Sequence, residues 1–134
     1  MPKKKFNLSV KEKIKSFKKT IKIDSDKSLS IRSFLIGSIS EKVSTVSNVL
    51  ESEDVKSAIE ACKKLGVKII KIKKGKYNIY GKGLGSLASK KNTSINFGNS
   101  GTLARLLIGI LTSTPNIELN LTGDDNEVTT IQQH

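Results

Sequence analysis

Phe97-Gly98-Asn99-Ser100-Gly101-Thr102-Leu103-Ala104-Arg105 is a turn that runs straight into a helix. Two glycines flank small polar residues, and Leu103, Leu106, Leu107, Ile110 and Leu111 then follow at helical spacing. A loop feeding a helix start leaves backbone N–H groups free at the positive end of the helix dipole, which is where an anion binds. Arg105, one turn in, adds a forked cation. Ile95-Asn96-Phe97 leads in as a strand, and Ile117 to Thr122 leads out as another after Pro115. Strand, loop, helix and strand in that order mark an α/β or α+β domain.

The chain upstream repeats the alternation. Val67 to Ile72 reads as a strand, Lys73-Lys74-Gly75-Lys76 as a turn and Tyr77 to Tyr80 as the hairpin partner. Before them, Glu51-Ser52-Glu53-Asp54 places acids ahead of a helix carrying Val55, Ala58, Ile59, Cys62 and Leu65, the end its dipole favours. Lys63-Lys64 and Gly66 supply the stop, and the acids read as a solvated cap. Val43 to Val49 alternates as a further strand. Between Asp24-Ser25-Asp26 and Ile39 lies another helix, capped by Ser28 or Asp26, with Leu29 or Ile31, Phe34 or Leu35, and Ile39 as its buried positions. Lys27, Ser28 and Arg32 gather at its start, with Ser28 and Arg32 one turn apart on one face. That is either a phosphate or carboxylate site or a plain capped helix with exposed cations. Phe17 to Ile23 alternates as a short strand, and residues 1–16 form a basic, weakly ordered arm. Gly81-Lys82-Gly83-Leu84-Gly85 fits neither glycine-rich phosphate fingerprint and reads as a flexible loop.

A net charge of +12 raises the question of nucleic acid. The 24 cations include only two arginines, Arg32 and Arg105, and the chain has two tyrosines and four phenylalanines, so the forks and stacking platforms of a specific reader are scarce. A small basic polyanion-binding module is therefore the second reading. Cys62, the single cysteine, lies on an apolar helix face as a buried, reduced thiol. No apolar run reaches the length of a membrane span, and the basic N-terminus lacks a secretory core, so a soluble, cytoplasmic protein is expected.

Taken together, Asp26-Lys27-Ser28-Leu29-Ser30-Ile31-Arg32, Leu50-Glu51-Ser52-Glu53-Asp54-Val55, Leu65-Gly66-Val67, Gly98-Asn99-Ser100-Gly101-Thr102, Arg105-Leu106-Leu107 and Leu121-Thr122-Gly123-Asp124 resemble the 5-enolpyruvylshikimate-3-phosphate synthase family. The resemblance covers about Phe17 to Asp124. A sibling family acting on UDP-N-acetylglucosamine usually has Lys-Asn where this chain has Lys27-Ser28, which favours the shikimate branch. The resemblance implies transfer of the enolpyruvyl group of phosphoenolpyruvate to the 5-hydroxyl of shikimate 3-phosphate, with release of phosphate and with neither metal nor organic cofactor. By the family pattern, Lys27 contacts both substrates and Ser28 and Arg32 bind shikimate 3-phosphate. Asn99, Ser100, Gly101 and Thr102 lie against phosphoenolpyruvate, and Arg105 supports that loop. Gly101 is the position at which glyphosate sensitivity is commonly tuned in the family, and sensitivity is the expectation here.

The family fold is an inverted α/β barrel whose domains are each built from three βαβαββ units. This chain corresponds to the first unit and part of the next, over residues 17–124. Asp24-Ser25 replaces the usual Pro-Gly before the first site. After Asp124 the family continues with a substrate-binding arginine, whereas residues 125–134 contain none and read as a divergent, disordered tail ending in an uninvolved His134. The acid, base and further phosphoenolpyruvate ligands belong to later parts of the family pattern. The expectation is a truncated or frame-altered product, inactive alone, with a complementing fragment or self-association as its route to a partner.

Overall fold

The computed structural model describes residues 7–9, 11, 20, 25–124 and 128–133. Nearly all of the basic arm, the strand expected over Phe17 to Ile23 and the terminal His134 lie outside the described residues. Within them, nine elements follow one another: α1 (Lys27–Ile39), β1 (Val43–Val46), α2 (Glu53–Lys64), β2 (Lys68–Lys73), β3 (Lys76–Tyr80), β4 (Thr93–Asn96), α3 (Gly101–Thr112), β5 (Ile117–Thr122) and β6 (Val128–Gln133). The order from α1 to β3 is that of a βαβαββ unit after its first strand. The elements from β4 onward begin another.

Local chemistry accounts for most boundaries. Asp26 is the α1 cap, its carboxylate accepting the Leu29 N–H at 2.7 Å. Ile31, Phe34 and Leu35 point inward and Leu29 outward, which settles the alternatives on this helix. β1 stops at Val46 and does not reach Val49, because Asn48 adopts φ +57°, a left-handed turn that no strand continues through. α2 starts on Ser52, whose Oγ accepts the Val55 N–H, and is left through Gly66 at φ +90°. The Gly81–Gly85 stretch is a loop whose first half is tied down: Gly81, Lys82 and Gly83 donate backbone N–H groups to Lys42, Ser38 and Ser40.

Two three-stranded sheets result. One has the order β1-β3-β2, all antiparallel, with Val43 opposite Tyr80 and Ile69 opposite Ile79. The other has the order β4-β5-β6, with β4 and β5 parallel around α3 and β6 antiparallel to β5. β6 corrects the expectation of a disordered tail: Val128-Thr129-Thr130-Ile131 is a β-branched run, and β5 offers it a free edge. α1 packs on the first sheet and against α2 and α3, while α2 reaches both β2 and β4. One core joins the layers, with Phe34, Val55, Leu65, Ile79, Ile95, Leu103, Leu107, Leu111 and Ile117 at its centre. The Phe34 ring meets Tyr77 edge-on at 5.3 Å. Cys62 is buried there, its Sγ 3.9 Å from the Phe34 carbonyl, and burial pushes its thiol up to about 11. No helix among the described residues is long and apolar enough to cross a membrane.

Candidate functional site

The β4–α3 turn is fixed at every residue. Phe97 ends the strand, donating its N–H to the Thr122 carbonyl at 2.8 Å. Gly98 turns at φ +60°, donates to Asn96 Oδ1 at 2.7 Å and accepts the Asp124 N–H at 3.1 Å. A methyl group on Gly98 would sit 3.3 Å from Ser57 Oγ of α2, so the glycine also permits close approach of the helix. Ser100, 4% exposed, caps α3 by accepting the Leu103 N–H at 3.1 Å. Its hydroxyl therefore serves the helix. The N–H groups of Gly101 and Thr102, in the first turn, are left without an intrahelical acceptor. Arg105 folds back over this start: a methyl group on Gly101 would sit 3.1 Å from its Nη1.

Two hollows flank the turn. One, of about 500 Å³, lies against the N-terminal half of α2 and includes Asp54, Ser57, Gly98, Asn99 and Asp124 in its lining. The other, of about 370 Å³, lies against the start of α3 and includes Asn99, Ser100, Gly101 and Asp124. Asn99 and Asp124 belong to both. Lys27 is tied to the rim of the first hollow, its Nζ 2.9 Å from Asp54 Oδ2. The Asp54 side chain is 19% exposed and that of Lys27 50%, so the pair is anchored on the α2 side and open on the other. α2 thus connects the Lys27 end of α1 with the Gly98–Thr102 turn.

Of the residues singled out in the sequence, Asn99, Ser100 and Gly101 line a hollow, and Lys27 reaches one through Asp54. Ser28 is half-buried and Arg32 exposed on α1; neither lines these two hollows, and neither do Thr102 and Arg105. Asp54 and Asp124 are the participants that sequence reasoning missed. Asp54 reads locally as a helix-start acid, and only the fold brings it to Lys27. Asp124 sits in the quoted Leu121-Thr122-Gly123-Asp124 run, which was the one available signal. Among the described residues no group of His, Cys, Asp and Glu side chains is placed to hold a metal ion.

A polar hollow between a helix face and a glycine-bearing helix start, inside an α/β unit, defines a protein that takes small anions. Comparison with known proteins narrows the class. The family model for EPSP synthase (3-phosphoshikimate 1-carboxyvinyltransferase) matches residues 11–127, and the chain belongs to that family. It is 40% identical over 116 residues to the 3-phosphoshikimate 1-carboxyvinyltransferase of Leptospira interrogans, which covers 87% of this chain and 26% of the relative. The Sulfurihydrogenibium enzyme of the same name is 36% identical over 115 residues, 86% of this chain and 26% of that protein. The solved EPSP synthase from Acinetobacter baumannii matches with a TM-score of 0.70 and 36% identity over 78% of this chain and 23% of that one. The chain thus spans about a quarter of the length of the relatives it matches.

Proposed function

We infer that this chain carries part of the substrate site for enolpyruvyl transfer from phosphoenolpyruvate to the 5-hydroxyl of shikimate 3-phosphate, a step of aromatic amino acid biosynthesis carried out in the cytoplasm. The C3 methylene of phosphoenolpyruvate is protonated as the hydroxyl adds to C2, and the tetrahedral adduct then loses phosphate and a proton. Lys27 donates to both substrates. Ser28 and Arg32 hold shikimate 3-phosphate, and the Asn99–Thr102 turn lies against phosphoenolpyruvate through Asn99 and the free N–H groups of the α3 start. Arg105 buttresses that start. No metal or organic cofactor takes part. The observation that carries this reading is the convergence of Lys27 and the Gly98–Thr102 turn on one face of α2, in a chain of this family.

The 134-residue chain alone is inactive on this reading. A general acid, a general base and further ligands for phosphoenolpyruvate are needed, and the family supplies them from the three quarters of its length that this chain does not match. Turnover then requires a complementing segment. Calorimetry with shikimate 3-phosphate tests the retained half-site: saturable binding is expected for the wild type, weakened about tenfold or more in Arg32→Ala by loss of a charged hydrogen-bonding fork. Binding that ignores the substitution would refute the assignment. A phosphate-release assay with both substrates is expected to read background, and appreciable turnover would overturn the inactivity.

The polyanion reading has one surface to rest on, a hollow of about 610 Å³ lined in part by Lys63, Lys64 and Lys90. It predicts oligonucleotide binding that weakens steeply with salt, with no preference for shikimate 3-phosphate. A labelled-oligonucleotide titration at low and moderate salt separates the two.

A further inference from the structure

The three helices differ in what they show the solvent. α2 carries six charged residues, Glu53, Asp54, Lys56, Glu60, Lys63 and Lys64, and buries a single apolar stripe. α1 carries only Lys27 and Arg32, and α3 only Arg105. α1 buries Ile31, Phe34 and Leu35 on its inner face, yet Leu29 and Ile36 stand 63% and 62% exposed on the outer one. α3, packed beside it, leaves Leu106 and Ile108 37% and 36% exposed, and Gly109 has open space around its Cα. A helix apolar all round belongs inside a protein. In relatives about four times as long, further chain is available to cover this pair. For the 134-residue chain, the matching apolar surface present at equal concentration is that of a second copy.

The spacing on α1 suits a two-fold arrangement. Leu29 and Ile36 are seven residues apart, two turns or about 10 Å along the axis. An antiparallel pairing of α1 with its symmetry mate sets Leu29 of one copy on Ile36 of the other and brings Arg32 opposite Ser33, a donor facing an acceptor. No acidic residue lies on α1 or α3 to attract a cationic partner, and no lysine beyond Lys27 interrupts the surface. We propose that the outer face of α1 and α3 is a self-association surface, through which two copies of this chain pair by apolar contact against their mutual charge repulsion.

Salt distinguishes this contact from others. With +12 on each copy, screening strengthens an apolar pairing, whereas it weakens pairing to a polyanion. Sedimentation equilibrium across about a hundredfold concentration range reads the mass action directly. The mass is expected to climb from the 14.6 kDa of one chain towards twice that, and to climb further at higher salt. The double variant Leu29→Gln and Ile36→Gln keeps charge and helix and leaves the proposed substrate ligands intact. It is expected to stay monomeric throughout. The control Ile70→Gln and Ile72→Gln removes similar exposed apolar area on β2 and should pair like the wild type. A wild-type chain monomeric at every concentration and salt overturns the proposal, as does association that survives the α1 double variant or that dissolves with salt.

Discussion

Glu51, just before α2, is the most heavily committed carboxylate among the described residues. Oε1 accepts the Gly75 N–H and the Tyr77 hydroxyl, each at 2.9 Å, and Oε2 accepts Lys71 Nζ at 2.9 Å. The Gly75 backbone donor above all, then Lys71 and Tyr77, hold its carboxyl down at about 2, against an ordinary 4.5. Since the folded state binds the proton more weakly than the unfolded one, this group's contribution is complete above about pH 4.5 and is lost as pH falls towards 2. Urea midpoints measured from pH 6 down to pH 2 should therefore fall more steeply for the wild type than for Glu51→Gln, and the two should converge at the acid end. The hydrogen bond to Glu51 also raises Lys71, and burial with the same carboxylate raises Tyr77, so the cluster's support fades again at strongly alkaline pH. None of this is legible locally. Glu51 stands in an acidic run that any helix start would explain, and its three partners lie some twenty or more residues downstream.

At the scale of elements, the junction between the C-terminus of α1 and the end of β3 is the tightest point. A methyl group on Gly81 would lie 2.1 Å from the Ser40 carbonyl oxygen and 2.4 Å from that of Gly37, both backbone atoms that cannot swing away. Gly81→Ala is expected to cost at least ~2 kcal/mol in denaturant unfolding, through displacement of β3 or of the last turn of α1. At Gly85, where only Pro115 Cδ lies within 4 Å, crowding is absent and the positive φ of 75° is the sole objection to alanine. The sequence therefore disclosed this loop as a glycine-rich connection but not which glycine is structural. α2, in contrast, was legible almost to the residue, because its cap, charged ends and apolar stripe are all local signals. α1 was less so: Asp26 and Ser28 compete as caps, and its outer leucine and isoleucine blur the stripe that would say which face turns inward. β6 was hidden for a different reason. Its support comes from the edge of β5, and a reading by family likeness had already stopped at Asp124.

For the molecule as a whole, the site follows the same division. Lys27, Ser28, Arg32 and the Gly98–Thr102 turn stood out from residue type and family pattern, while the Lys27–Asp54 pair and the place of Asp124 between two hollows needed the packing of α2 against both sheets. That packing depends on a strand order in which β1 is hydrogen-bonded to β3, with α2 and β2 intervening along the chain. The arrangement has a kinetic consequence. β2 and β3 are joined by a tight turn and can pair at once, on a scale of about 1–10 μs, whereas β1 has no partner until β3 exists and must close a long loop to reach it. Ile79, in the hairpin, should then lie in the folding nucleus, and Val46, in β1, outside it. Stopped-flow chevrons are expected to show Ile79→Val slowing refolding and Val46→Ala chiefly hastening unfolding. The first strand of this sheet to be synthesised would thus be the last to dock, and the Lys27–Asp54 side of the site would order in the wake of a hairpin that contributes no residue to it.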